Sequence, residues 1–210
     1  MIIPMLIETI GTFFIVFTSL SMLHNPLSIG LVFVALAYIH ANTIYGYFNP
    51  ALLFALFLQK KYSFLFTFYL LCAQIAGAMI AHLFWLHLSG APYTLAISAE
   101  EGRLAIGTIE ALFVFILCAV VLQETTQEKN SSALHIVMTG VALSAIHFFG
   151  NTFNPATAIG SMVISHLHND LYSLKDMLTY TATPFFGSIL AYFYYKKIAS
   201  KTIQQINSLK

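Results

Sequence analysis

The chain carries the tetrapeptide Phe-Asn-Pro-Ala twice, at Phe48–Ala51 and Phe153–Ala156, and the two asparagines are 105 residues apart. The motif is typical of a helix start, because asparagine is a preferred N-cap and proline suits the first helical position. Two such starts that face each other would bring two amide donors and two positive helix ends to one point. This arrangement suits hydrogen bonding to a small neutral solute and repulsion of cations. It offers no means of covalent catalysis.

The composition places these motifs in a membrane. Of the 210 residues, 59% are hydrophobic and only 8% are charged, whereas soluble domains carry about 25% charged residues. Such a chain cannot cover a water-facing surface, so we expect the lipid bilayer as its surroundings. The net charge of only +1 argues against nucleic acid as a partner.

Six apolar segments approach the length of about 20 residues that a helix needs to cross the hydrocarbon core. Two shorter segments, Pro50–Leu58 and Pro155–Ser165, each begin in an Asn-Pro-Ala motif and are too short to cross. The six predicted spans are Ile2–Leu23, Leu27–Tyr45, Ser63–Leu88, Leu104–Gln123, Ala133–Phe149 and Met177–Ala199. The sequence thus predicts an all-α membrane protein with six transmembrane helices and two re-entrant half-helices.

The basic side chains favour one orientation of these spans. Of the nine lysines and arginines, only Arg103 and Lys175 fall on one side. Lys60, Lys61, Lys129, Lys196, Lys197, Lys201 and Lys210 fall on the other. Because cytoplasmic loops carry the excess of basic residues, we expect a multi-pass protein of the cell membrane (inner or plasma membrane) with both termini in the cytoplasm.

The two halves of the chain correspond beyond the tetrapeptide. Glu8 matches Glu110, and Ala73–Gly77 matches Thr183–Gly187. Each half holds an odd number of predicted spans, so the second half must enter the membrane from the opposite face. We therefore predict a single domain over residues 1–210, an inverted repeat of about residues 1–95 and 102–200. Such folds place their working site near the midplane, where broken helices meet.

Glu8 and Glu110 are acidic residues inside apolar helices, where a charge is costly and usually functional. Their matched positions favour a supporting role, in which each carboxylate accepts hydrogen bonds from backbone donors of a re-entrant loop. The alternative is a proton relay in a proton-coupled transporter. Saturable, proton-dependent flux would distinguish that transporter from an open channel.

Taken together, these features resemble the aquaporin, or major intrinsic protein, family over nearly the whole chain. Besides the two tetrapeptides, the resemblance rests on Glu8–Phe14, Ala73–Ala78, Gly140–His147 and Pro184–Gly187. It implies a passive channel for water and small neutral solutes, assembled as a homotetramer, with no cofactor. Ions and protons would be excluded at the paired motifs, formed by Asn49, Pro50 and Ala51 and by Asn154, Pro155 and Ala156.

In that family a selectivity filter, narrower than the constriction at the paired motifs, lies on the extracellular side of the asparagines. The resemblance places Ile29 at the helix-two position of this filter and either Asn151 or Thr152 at its loop position. Ile29 stands where an aromatic residue is common, which points to a wider opening.

Two residues compete for the helix-five position of the filter. Ungapped counting from Asn154 selects Ala142, whereas the match of Gly140–His147 selects His147. We favour His147, because loops tolerate deletions better than helices do.

The family's filter arginine is absent, since Thr157 directly follows the second Asn-Pro-Ala motif and the chain's one arginine is Arg103. We therefore expect an opening wider than that of a strict water channel, with one electrostatic barrier lost. A protonated His147 would compensate in part. The glycerol-channel pattern of an aspartate soon after the arginine is also missing, because Ala158 follows. The substrate stays open between water and a main preference for glycerol, urea or ammonia.

The eight histidines raise the alternative of a membrane-embedded metalloenzyme. The spacings of His82 with His87 and of His166 with His168 suit no metal site on a helix, so we expect no metal and no catalytic residue. His40 lies three helical turns beyond Ile29, so it could share a pore-facing stripe. A core histidine paired with a backbone carbonyl is an equal alternative.

Overall fold

The computed structural model describes residues 1–21, 25–41, 46–95, 97, 102–124, 132–149, 152–168 and 173–199. Within these residues the chain forms α-helices and no β-strand. The helices are α1 (Ile2–Ser21), α2 (Pro26–His40), α3 (Pro50–Leu58), α4 (Phe64–Ser89), α5 (Arg103–Glu124), α6 (Ser132–His147), α7 (Pro155–Leu167) and α8 (Leu174–Tyr194), with a π-helical turn at Tyr195–Ala199. The predicted all-α class is confirmed.

The long helices correspond to the predicted spans, with shifts at their ends. Helices α1, α4 and α5 are long and apolar enough to cross a membrane on length and composition alone. Helix α2 ends at His40, short of the predicted Tyr45, and residues 42–45 lie outside the described part of the chain. Helix α8 starts earlier than the predicted Met177, because Ser173 caps it by accepting a 3.3 Å hydrogen bond from the backbone N–H of Asp176.

The two half-helices begin at the Asn-Pro-Ala motifs. Helix α3 has the predicted bounds, and α7 runs to Leu167, beyond the predicted Ser165. The chain enters each one through a strained residue, since Phe48 has φ 52° and Phe153 has φ 49°. Positive φ at a non-glycine residue costs on the order of 1–3 kcal/mol and persists only where the surroundings impose it.

The helix packing repeats in the two halves. Helix α1 packs on α4, α5 packs on α8 in the same way, and α2 packs on α6 at the boundary between the halves. Gly77 lets α4 approach the backbone of α1 at Thr9, and Gly187 lets α8 approach the backbone of α5 at Ala111. A Cβ atom at either glycine would collide with that backbone. This correspondence is the inverted repeat expected from the sequence.

The half-helices lie in the centre of the bundle. Leu52, Leu53 and Leu56 of α3 are fully buried, as is Ala156 of α7. On the outside of the bundle, large apolar side chains such as Phe68 are exposed. Apolar groups are therefore both inside and outside, which is what a bundle surrounded by hydrocarbon requires.

Candidate functional site

Asn49 caps the first half-helix and binds the second loop. Its Oδ1 atom accepts a 2.9 Å hydrogen bond from the backbone N–H of Ala51. Its Nδ2 atom donates a 2.8 Å hydrogen bond to the backbone carbonyl of Phe153, in the other half of the chain. The asparagine therefore ends one helix and connects the two halves.

Asn154 makes the equivalent bonds in the opposite direction. Its Oδ1 atom accepts from the N–H of Ala156 at 3.0 Å, and its Nδ2 atom donates to the carbonyl of Phe48 at 2.9 Å. An asparagine amide has two N–H donors. In both asparagines the oxygen is thus committed to its own half-helix and one N–H to the opposite loop.

Glu8 holds the first re-entrant loop. Its carboxylate is fully buried and accepts hydrogen bonds from the backbone N–H groups of Tyr47 at 3.0 Å and Phe48 at 2.9 Å. The side-chain amide of Gln74 donates a further bond of 2.9 Å. These donors offset the cost of burying the carboxylate.

Glu110 holds the second loop in the matching way. Its carboxylate, also fully buried, accepts from the backbone N–H groups of Thr152 and Phe153, both at 3.0 Å. The hydroxyl of Thr152 adds a bond of 3.3 Å. The two carboxylates therefore hold the residues that precede each asparagine.

A narrow cavity lies beside the two asparagines. Its volume, measured as the space open to the centre of a water molecule, is about 10 Å³, which is about the room of one water. Five of the residues singled out in the sequence line it, namely Asn49, Asn154, His147, Thr152 and Thr157. Helices α6 and α7 and both re-entrant loops therefore contribute to one space.

The other residues considered for the filter and the pore lie on α2 and α6 or outside the described residues. Ile29 is buried on α2 among core residues. Ala142 on α6 is half-buried against the core. His40 is the last residue of α2, with Nδ1 2.8 Å from the carbonyl of Leu36. Asn151 falls outside the described residues.

The lining of the cavity combines polar groups with an apolar wall. Thr157 is buried in the first turn of α7, as its third residue. His147 is half-buried; its Nδ1 lies 2.8 Å from the carbonyl of Leu143, and its ring meets the ring of Phe153 edge-on at 5.5 Å. Ser19 of α1 adds a further hydroxyl to the lining.

Several lining residues were not predicted from the sequence, although two of them follow from helix periodicity. Phe33 lies one helical turn beyond Ile29, and Leu143 lies one turn before His147, so each shares a helix face with a residue that was considered. Tyr47 occupies the position in the first half that Thr152 occupies in the second. Ile15 of α1 had no signal beyond its apolar helix.

The chain's one arginine is engaged away from the cavity. Arg103, at the start of α5, places Nε 2.6 Å from the Oδ1 atom of Asp176 on α8. Asp176 also accepts a 3.4 Å hydrogen bond from the backbone N–H of Ile97. The Asp176 carboxylate therefore joins α8 both to the start of α5 and to Ile97.

The arrangement has a counterpart among solved structures. The X-ray structure of the aquaglyceroporin from Plasmodium falciparum matches with a TM-score of 0.81 at 18% sequence identity. The match covers 96% of this chain and 98% of that one. At this identity the likeness shows the fold, namely six membrane-crossing helices and two half-helices in an inverted repeat.

Sequence comparisons identify the family. The chain is 26% identical over 207 residues to the glycerol uptake facilitator protein-like 6 of Lactiplantibacillus plantarum, covering 90% of this chain and 94% of that protein. It is 29% identical over 184 residues to the aquaporin PIP1-1 of Arabidopsis thaliana, covering 79% of this chain and 62% of that protein. The family described as major intrinsic protein matches residues 3–195. The chain therefore belongs to the major intrinsic protein family of integral membrane proteins, which are passive channels and not enzymes.

Proposed function

We propose that this protein is a passive channel for water and small neutral solutes that excludes ions and protons at Asn49 and Asn154. The donor arrangement of these two side chains carries the proposal. Each amide oxygen accepts from its own half-helix and one N–H of each amide is bound across the halves. What remains for a solute at this point is a pair of N–H donors.

Such a pair orients a passing water molecule. When its oxygen accepts from both asparagines, its two hydrogens point away from them, toward the neighbouring waters on either side. The water at the asparagines then accepts no proton from its neighbours, and the hydrogen-bonded chain that conducts protons is interrupted there.

The two half-helices add an electrostatic barrier to cations. Helices α3 and α7 both begin at the asparagines, and each helix N-terminus carries roughly +0.5 of an elementary charge. Charges interact more strongly in a low-dielectric surrounding than in water. Positive half-helix ends are one of the means by which such pores exclude protons and cations.

We propose further that the filter on the outer side of the asparagines admits at least one neutral solute larger than water, such as glycerol, urea or ammonia. Thr157 takes the place of the filter arginine, with His147 and Thr152 as the other described members. Ile29 and Asn151 complete the proposed filter. The hydroxyls of Thr152, Thr157 and Ser19 suit the polar side of a solute. The apolar wall at Leu143 suits its hydrocarbon side.

The assembly and orientation belong to the same proposal. We expect a homotetramer in the cell membrane. Each subunit is formed from two repeats, of about residues 1–95 and 102–200, and has both termini in the cytoplasm. Lys60 and Lys61 follow α3, and Lys196 and Lys197 follow α8. If successive spanning helices cross the membrane in alternating directions, these two helix ends lie on the same face. Arg103 and Lys175 begin α5 and α8 on the other face.

Osmotic measurements on vesicles that contain the purified protein test this function. We expect faster shrinkage in an impermeant osmolyte than empty vesicles show, and faster reswelling in glycerol or urea. Water and solute rates that both equal those of empty vesicles would overturn the proposal. A fast water rate with glycerol, urea and ammonia rates at the empty-vesicle level would overturn the passage of larger solutes alone.

A further inference from the structure

The residues two places before the asparagines are equivalent in the two halves. The backbone N–H of Tyr47 donates to Glu8 at 3.0 Å, and that of Thr152 donates to Glu110 at 3.0 Å. Both residues line the cavity. The loop with Tyr47 follows α2 and the loop with Thr152 follows α6, so the two reach the asparagines from opposite faces of the bundle.

The two equivalent positions differ greatly in bulk. On the Thr152 side the lining residues Thr152 and Thr157 are short. On the Tyr47 side a phenol ring occupies the matching place, and only 8% of Tyr47 is exposed. The wall of the cavity is therefore asymmetric, with the large side chain in the half that α3 enters.

Tyr47 is held in place by a second tyrosine. Its side chain is hydrogen-bonded to that of Tyr62, between α3 and α4, and the two rings meet edge-on with centroids 6.4 Å apart. The ring of Tyr62 in turn packs on Phe66 of α4 at 5.3 Å. Burial raises the pKa of the Tyr62 hydroxyl, so this group keeps its proton.

The backbone beside Tyr47 has little room to yield. Phe48 is buried with a positive φ, and its ring packs so closely over Gly11 and Gly46 that neither glycine has space for a Cβ atom. The ring also meets Phe33 edge-on at 5.9 Å. A solute that passes Tyr47 therefore cannot displace the loop and must fit the space that the phenol leaves.

We infer that Tyr47, positioned by Tyr62, forms a second constriction on the α3 side of the asparagines and sets the upper size limit for neutral solutes. The inference rests on the proposed function and deepens it. The short residues at Thr152 and Thr157 leave the outer side open to solutes larger than water. Discrimination between water and glycerol then falls to the phenol ring on the inner side.

Permeabilities of reconstituted variants test this assignment. Tyr47→Ala removes the ring, and we expect the ratio of glycerol to water permeability to rise by at least about tenfold, since filling or emptying part of a fitted apolar site changes discrimination by roughly 10- to 200-fold. Tyr38→Ala is the matched control, because Tyr38 is 72% exposed on the outside of α2. It should leave the ratio at the wild-type value.

Single hydroxyl deletions test the role of Tyr62 as a positioning residue. Tyr62→Phe and Tyr47→Phe each remove the same hydrogen bond and keep the ring. We expect both to raise the glycerol-to-water ratio by a similar, smaller factor, and the double variant to raise it no further. A purely structural role would lower both permeabilities together and would leave their ratio unchanged.

The outcomes separate this inference from the function on which it rests. If the wild-type protein conducts water while Tyr47→Ala and Tyr62→Phe, both present in the vesicles, keep the wild-type ratio, the inner constriction is refuted and the channel stands. Additive effects of the two phenylalanine variants would refute the positioning by Tyr62. If Tyr47→Ala fails to fold, the phenylalanine variants decide the matter alone.

Discussion

The side-chain amide of Asn49 donates a 2.8 Å hydrogen bond across the molecule to the carbonyl of Phe153. Asn154 returns the equivalent bond, at 2.9 Å, to Phe48. The half-helices thus cannot move apart without breaking both bonds. One pair of residues fixes the helix starts, joins the two halves and lines the cavity.

The proposed exclusion of protons predicts the effect of Asn154→Asp. Aspartate keeps the oxygen that caps α7 but loses the N–H that donates to Phe48 and the N–H left for a solute. It also places a negative charge where two positive helix ends meet. We expect a rise in proton or cation permeability, measured with a pH-sensitive dye inside vesicles, and a lower water permeability.

Asn25→Asp is the matched control for that experiment. Asn25 is the N-cap of α2, its side chain makes no capping hydrogen bond, and it is exposed. The same chemical change there should leave proton flux at the wild-type level. An Asn154→Asp channel that stays as tight to protons as the wild type would contradict the role assigned to this amide.

The wide outer filter predicts the effect of Thr157→Arg. The long cation would cross the space beside His147 and restore the barrier that the sequence lacks. We expect glycerol and urea permeability to fall by about tenfold or more while water permeability falls less, because differences in pocket size of this kind separate substrates by about 10- to 200-fold. Thr157→Val, which matches threonine in shape, distinguishes loss of the hydroxyl from loss of space. Unchanged solute rates in Thr157→Arg would mean that the constriction lies elsewhere.

The buried carboxylates predict a loss of stability when they are neutralised. In Glu110→Gln one carbonyl oxygen cannot accept from Thr152 and Phe153 as the two carboxylate oxygens do, and the new NH₂ group faces an N–H donor. An unsatisfied buried group costs about 1–3 kcal/mol, so we expect a lower midpoint of thermal unfolding in detergent. Glu8→Gln should behave alike.

The same variants distinguish a supporting carboxylate from a proton relay. A relay would make wild-type flux depend on the proton gradient, and Glu8→Gln or Glu110→Gln would abolish that dependence with no change in thermal stability. The supporting role predicts the reverse, namely flux that ignores the gradient and variants that unfold earlier.

The close helix contacts predict that Gly77→Ala and Gly187→Ala are both destabilising. Each new Cβ atom would meet a backbone carbonyl, of Thr9 or of Ala111, which cannot move aside as a side chain can. Overpacking of this kind costs about 1–3 kcal/mol. Gly107→Ala is the control, since its Cβ would lie 3.0 Å from a methyl group of Thr183. Thermal unfolding should show clearly larger losses for the first two variants than for the third.

Much of the fold could be predicted from residue order alone. The hydrophobic spans, the Asn-Pro pairs and the matched glutamates each have a local physical meaning, and together they require an inverted repeat. The helix ends were predicted less well. Helix α8 starts at a serine cap that lies outside the apolar run, and hydropathy does not detect a cap.

The cavity wall was predicted only in part, because it depends on which face of each helix turns inward. Counting from motifs selected Ile29 and did not select Phe33, which the same face of α2 contributes to the cavity. The sequence indicated Thr157 because it departs from a family pattern. Nothing of that kind marked Tyr47, whose bond to Tyr62 depends on the path of the chain between α3 and α4.

The central claim is that neutral solutes pass while protons do not, and a paired flux measurement on the same vesicles tests it most directly. Osmotic shrinkage gives the water permeability, and an entrapped pH dye gives the proton permeability under an imposed gradient. We expect a water rate well above that of empty vesicles and a proton rate equal to theirs. A proton rate that rises in step with the water rate, or a water rate no faster than in empty vesicles, would contradict it.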